Sequence, residues 1–116
     1  MKTADTFLQE AAETFRARNK VYGDNYKNVG AMMAALFPFG ISVVSADDWN
    51  RLHILLLSVV KVSRYCNNWS SGGHPDSIHD AAVYNAMLES IDFAIKADLE
   101  KAETMQKEAL QDGTPF

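Results

Sequence analysis

Two cations and two carboxylates recur at helical spacing in the stretch KVSRYCNNWSSGGHPDSIHDAAVY, from Lys61 to Tyr84. Residues three or four apart share one face of an α-helix. Lys61 and Arg64 therefore form a cationic face, and Asp76, Asp80 and Tyr84 form an acidic face ending in an aromatic ring. The Gly/Ser turn between them is short enough to fold one face onto the other. Asp76 and Asp80, one turn apart, converge on a hard cation such as magnesium, which takes one or two carboxylates and fills its shell with water and substrate phosphate. Lys61 and Arg64 lie on the most apolar helix of the chain and need acidic partners, which are either phosphate oxygens or protein carboxylates. The four residues thus describe a site for a phosphate and a divalent metal, or an ion-pair network at a helix seam.

A second constellation is RNKVYGDNYKN, Arg18 to Asn28. Gly23 permits a turn, Asp24 or Asn25 caps the next helix, and the N-terminus of that helix is a natural place for an anion. Lys20 and Lys27 add cations and Tyr22 a surface on which a base can stack. The alternative is a capped helical corner with solvated lysines. His53, His74 and His79 read as exposed or structural residues, and too few His and Cys stand at ligand spacing for zinc. No Gly-rich phosphate loop or nucleophile elbow is present.

These residues need helices to hold them. Thr3 or Asp5 caps a first helix with an apolar stripe of Phe7, Leu8, Ala11, Ala12 and Phe15, expected to end near Tyr22 because Gly23 stops it. A second helix runs from Asn25 to about Leu36 with Tyr26, Val29, Met32, Met33 and Leu36 inward, and Pro38 and Gly40 end it. Residues 39–44 form an extended linker. Ser45 caps a third helix, with Asp47 and Asp48 in the first turn where the helix dipole favours carboxylates. From Trp49 to Tyr65 it is apolar on most of its circumference, so it is the expected centre of the fold. Its polar exceptions must find hydrogen bonds, at about 1–3 kcal/mol for each one left without. Asn67 to His74 is a loop in which Trp69 is a lid or a core plug. Pro75 starts a fourth helix with no breaker before Gly113, roughly 50 Å if continuous. Past Lys96 its stripe thins to Leu99, Ala102, Met105, Ala109 and Leu110, a tail that frays or packs on another subunit. The expected division is residues 1–96 as a helical domain and 97–116 as an extension, assembled as a homodimer or larger.

The totals set limits on function. A chain of 116 residues makes one domain with a modest core, and its 47% hydrophobic and 10% aromatic content suits a globular protein. A net charge of −4 does not favour duplex nucleic acid, which attracts clustered Lys and Arg. The single Cys66 excludes an intrachain disulfide and fits a reducing compartment as a half-buried structural thiol. The strongest apolar run, Leu52 to Val60, is half of what crosses a bilayer, and the N-terminus does not read as a secretory signal, so a cytoplasmic location is expected.

In order along the chain, Lys20, Tyr22, Gly23 and Asp24 form K-x-Y-G-D, Lys61 and Arg64 form K-x-x-R, and His74, Asp76, Ser77, Asp80 and Tyr84 form H-x-D-S-x-x-D-x-x-x-Y. This combination resembles small phage and prophage proteins of unassigned function, relatives of the all-α, MazG-like nucleotide pyrophosphohydrolases and of phage nucleotide-modification-associated domains. The resemblance spans roughly Phe7 to Ile91. It implies an all-α four-helix MazG-like bundle with a long C-terminal helix. It also implies an oligomeric enzyme that cleaves a nucleoside triphosphate to monophosphate and pyrophosphate with magnesium, in host cytoplasm if phage-encoded. The family's metal ligands are an E-x-x-E pair on a central helix and an E-x-x-D pair on the next. Asp80 matches the aspartate of the second pair, with Asp76 displaced by one position from its companion, whereas the first pair falls on Lys61 and Arg64. On this basis Asp76 and Asp80 are the expected metal ligands, and Glu10 or Glu13 a supplementary carboxylate. Lys61 and Arg64 are the groups that stabilise charge on the phosphoryl oxygens. Lys20, Tyr22, Asp24, Lys27 and Tyr84 complete the nucleotide site. The cationic replacement also fits a binder that sequesters a nucleotide without turning it over, and paired charges alone fit a structural interaction protein.

Overall fold

The structure, a computed structural model, describes residues 1–111 and is an all-α bundle of four helices, the last of them long. They are α1 (Ala4–Tyr22), α2 (Asn25–Leu36), α3 (Ala46–Asn67) and α4 (Pro75–Gln111), with one 3-10 turn, Trp69–Ser71, between α3 and α4. The Gly113 stop expected for α4 lies outside the described residues.

Local sequence accounts for the helix ends. Thr3 is the N-cap of α1; its N–H donates to Thr6 Oγ1 at 3.5 Å and its hydroxyl donates to the Asp5 carboxylate. At the other end Gly23 adopts φ 62° and its N–H closes on Asn19 O at 2.9 Å. Ser45 and Asp48 form a reciprocal capping box on α3, Asp48 N–H donating to Ser45 Oγ at 3.1 Å and Ser45 N–H to Asp48 Oδ2 at 3.4 Å. Amide donation from Val44 and Ser45 holds the Asp48 carboxyl below its ordinary range. The linker before it turns at Gly40, whose N–H reaches Phe37 O at 3.0 Å, and among the described residues it pairs with no strand.

α3 is the hub, packed by α1, α2, α4 and the 3-10 turn. Its seam with α4 is antiparallel and is held by three side-chain pairs. Arg51 Nε donates to Asp92 Oδ1 at 2.8 Å, Ser58 Oγ to Asn85 Oδ1 at 2.7 Å, and Lys61 Nζ lies 3.0 Å from Asp80 Oδ2. In this register the first residue of α3, Ala46, lies opposite Ala97. Residues 98–111 of α4 therefore extend past the end of α3. Small residues line the seam, where Val59 and Ala81 are the buried apolar residues among those described, with Ser58, Ser63 and Ser77 buried as well. Their hydroxyls are all paired, Ser58 with Asn85, Ser63 with Val60 O of its own helix at 2.8 Å and Ser77 with His74.

The apolar stripes of α1 and α2 do not all turn inward as expected. Phe7, Leu8, Phe15, Tyr26 and Leu36 are exposed: α1 packs only lightly on α3, and Phe15 and Tyr26 stand on the walls of an open cleft between the helices. Periodicity fixes which face is apolar; it does not supply something to cover that face. Cys66 is likewise exposed at the end of α3, not half-buried. The molecule measures 71 × 41 × 26 Å with a radius of gyration of 21.5 Å, against about 13 Å for a compact domain of this length.

The α3–α4 turn depends on Gly73, at φ 84°, over which the Tyr65 ring lies so closely that any Cβ would collide with it. Gly73→Ala adds a left-handed backbone penalty to that collision and is expected to destabilise the fold by about 1–3 kcal/mol. A denaturant midpoint equal to that of the parent would contradict this account of the turn.

Candidate functional site

Asn67, the last residue of α3, ties the α1–α2 corner to the tip of the α3–α4 hairpin. Its side-chain amide donates to Tyr22 O at 2.5 Å and to the Asn25 side-chain carbonyl, and Asn25 is buried. This anchor places the Tyr22 ring beneath Arg64, whose guanidinium carbon lies 4.3 Å from the ring centroid. His74 meets the same ring edge-on at 5.8 Å, and its Nδ1 pairs with the buried Ser77 hydroxyl at 2.5 Å. A cation stacked on a tyrosine and edged by an imidazole is a preorganised polar–aromatic cluster.

Beside this cluster a cleft of about 510 Å³ opens between α1, α2 and α3. Phe15, Arg18, Tyr22, Tyr26, Val60 and Arg64 are among its walls, and Phe15 and Tyr26 pack edge to face at 6.0 Å. The lining is apolar and aromatic with two guanidinium groups. Among the described residues two side-chain atoms are out of balance, both on residues that line this cleft: Arg64 Nε and Asn25 Nδ2 are buried and have no hydrogen-bond partner, a state that costs free energy unless something else supplies an acceptor.

The residues singled out from the sequence fall into separate places. Tyr22 and Arg64 meet at the cleft. Lys61 pairs with Asp80 one turn further into the hairpin; its side chain is 20% exposed and that of Asp80 43%. The cationic and acidic faces do meet there, but through this one pair, since Arg64 turns to Tyr22 instead. Asp76 is exposed in the first turn of α4 and makes no ion pair among the described residues. Tyr84 is half-buried on α4 about two turns beyond Asp76 and does not line the cleft. Lys20 is exposed on the last turn of α1. Asp24 takes the N-cap position of α2 but its carboxylate goes to Lys27, 3.4 Å away, and raises that lysine above its ordinary range. A carboxylate thus stands where an anion was expected. Glu10 is paired with Lys2 at 2.9 Å and Glu13 is exposed, with no contact to the aspartates. Trp69 is exposed on the 3-10 turn, its ring edge against Tyr65 at 6.1 Å.

Among the described residues no three His, Cys, Asp or Glu side chains gather as a metal donor set. Asp76 and Asp80 remain a two-carboxylate pair, with the Lys61 ammonium on one of them. A smaller cleft of about 170 Å³, lined by Phe37, Leu52, Leu55 and Leu88, holds Arg51 between Asp92 at 2.8 Å and Asp48 at 3.5 Å, so its cation is already neutralised within the chain.

No helix of the described residues is long and apolar enough to cross a membrane. No family model, curated protein or solved structure matches the chain. The site must therefore be read from its own residues.

Four of those residues carry no site role in the sequence reading, although Arg18 and Tyr26 lie within the Arg18–Asn28 stretch. Arg18, Phe15 and Tyr26 reach the cleft only through the packing of two helices, and Asn67 reads as loop by composition. The available signal is the aromatic content of the α1–α2 corner, which exceeds what a solvated turn needs.

Proposed function

We propose that this is a nucleotide-handling protein, and that the cleft between α1, α2 and α3 takes one nucleotide or a similar planar, phosphate-bearing molecule. Arg64 carries the reading. A buried guanidinium nitrogen without an acceptor, on a group that lies over the Tyr22 ring at the wall of an aromatic cleft, calls for an anionic partner. Phosphate oxygens supply acceptors for Arg64 and Arg18, and the rings of Phe15, Tyr22 and Tyr26 offer faces and edges to a base.

Two forms of this reading differ in the fate of the bound nucleotide. In the enzymatic form, which the MazG-like resemblance supports, the ligand is a (deoxy)nucleoside triphosphate cleaved to monophosphate and pyrophosphate. Asp76 and Asp80 would hold a magnesium ion there, which supplies charge neutralisation at the phosphates and an activated water. Lys61 and Arg64 stabilise negative charge that develops on the phosphoryl oxygens. In the sequestering form the nucleotide is bound without turnover. The direct Lys61–Asp80 pair favours this form, because the ammonium competes with a cation for the same carboxylate.

The test is thermal stability against nucleoside triphosphates, monophosphates and cyclic nucleotides, each with and without magnesium, and then an assay for pyrophosphate. A ligand at a hundred times its Kd adds about 2.7 kcal/mol to stability. That gain with magnesium-dependent pyrophosphate release establishes the enzymatic form; the gain without release establishes sequestration. Unchanged stability with every ligand would sink both and leave a helical interaction protein.

A further inference from the structure

We infer, resting on the nucleotide reading of the cleft between α1, α2 and α3, that Asn25 selects the base. Its side-chain N–H group donates to an oxo oxygen, so the cleft prefers oxo bases such as hypoxanthine and uracil to amino bases such as adenine and cytosine. Asn25 lines the cleft and is 9% exposed, and its Nδ2 is buried without a hydrogen-bond partner among the described residues. Arg64 Nε is the other buried donor without a partner, and it is charged. With the guanidinium groups of Arg18 and Arg64 on the phosphate, the neutral amide of Asn25 is left for the base.

A side-chain amide holds both a donor and an acceptor, and its neighbours decide which end it presents. The Tyr22 main-chain carbonyl only accepts, so the Asn67 atom 2.5 Å from it is the amide nitrogen. The same nitrogen meets the Asn25 side chain, which must answer with its carbonyl oxygen. Asn25 Oδ1 is therefore taken up in bracing the α1–α2 corner, and the free end of the amide is a donor alone. Asparagine reads adenine by donating to N7 and accepting from the 6-amino group at once. Asn25 lacks the acceptor for the second bond, and an amino group set against its N–H would put two donors face to face. An oxo group at that position, C6 of a purine or C4 of a pyrimidine, gives the buried N–H the acceptor it lacks. A site that hydrogen-bonds one group rejects the analogue without it, because its own buried group is then left unpaired. The rings of Phe15 and Tyr26 stack on any base, so the preference falls to Asn25.

The experiment is calorimetric titration of the full chain with the 5′-monophosphates of inosine, adenosine, uridine and cytidine, and with ribose 5-phosphate, beside Asn25→Asp. Inosine and adenosine differ at C6, uridine and cytidine at C4. Aspartate keeps an oxygen for Asn67, turns the free donor into an acceptor, and suits the first turn of α2, where residue 25 stands. The parent is expected to bind the oxo member of at least one pair about tenfold or more tightly, and the variant to lose or reverse that ratio. A residue that only braces the corner would lower every affinity alike and leave the ratio as it was. Equal affinity within both pairs, ribose 5-phosphate binding as tightly as the nucleotides, or an unchanged ratio in a folded variant overturns the inference and leaves an anion site at Arg64 standing. Binding of none of these molecules overturns the nucleotide reading and the inference with it. Should Asn25→Asp not fold, the side-chain amide protons of Asn25 in the parent decide. A downfield shift with the oxo member of a pair and not with the amino member supports the assignment; a shift common to both, or none, overturns it.

Discussion

Arg64→Met is expected to weaken binding of the preferred nucleotide by about 10- to 100-fold while the helix content stays that of the parent. The substitution keeps an apolar stem over Tyr22 and removes the group that awaits an acceptor. A hydrogen bond to a charged partner contributes about 1.5–3 kcal/mol, and each 1.4 kcal/mol is a factor of about ten in affinity. Arg64→Lys separates charge from shape. Lysine keeps the cation but lacks the planar fork that stacks on the Tyr22 ring at 4.3 Å. It should recover only part of the lost affinity. Calorimetric titration of parent and both variants reads the effect directly. An Arg64→Met chain that binds as tightly as the parent would mean that the unpaired Nε is a packing accident, and the nucleotide reading would lose its main support.

Tyr22→Ala tests the same cluster from below and has a structural side. Asn67 binds the main-chain carbonyl of residue 22, not its ring, so the corner keeps its anchor when the ring is removed. The guanidinium then loses its support and its orientation. Weaker binding with little loss of fold separates a ring that positions Arg64 from one that merely fills space.

Most of the architecture is legible in the sequence because it depends on local chemistry. Gly23 stops α1, Ser45 with Asp48 starts α3, and Pro75 opens α4, and each acts within a turn or two of itself. The centrality of α3 follows from its apolar circumference. The candidate site is legible only in fragments. Spacing puts Lys61 and Asp80 on facing helices, and a short turn brings them within 3.0 Å. Arg64 shares the Lys61 face by the same spacing, yet it goes to Tyr22, because a planar cation near an aromatic ring has a partner that spacing rules do not include. Asn67 is hidden because its partners, Tyr22 O and Asn25, are more than forty positions earlier in the chain and lie near it only once α1 and α2 have packed. Phe7 and Leu8 show the opposite failure. Their period is right, and their exposure reflects a chain that does not cover them.

Asp80→Asn is expected to divide binding from chemistry. The carboxylate has two claimants, the Lys61 ammonium at 3.0 Å and a cation carried by a nucleotide. Both groups keep some exposure, so breaking the pair costs about 1 kcal/mol or less in stability, and the fold should survive. Asparagine retains the size and one acceptor but not the charge. Metal-dependent hydrolysis, if Asp76 and Asp80 hold the ion, should fall by two orders of magnitude or more, because one of only two carboxylates is lost. Metal-independent nucleotide binding should rise, because Lys61 is released to a phosphate. The two readouts move in opposite directions, which an unfolded variant cannot imitate. Undiminished magnesium-dependent pyrophosphate release from Asp80→Asn would place the metal elsewhere. Binding that drops in parallel with stability would mean that the Lys61–Asp80 pair serves the helix seam alone, leaving Arg64 and the aromatic cleft to account for any ligand.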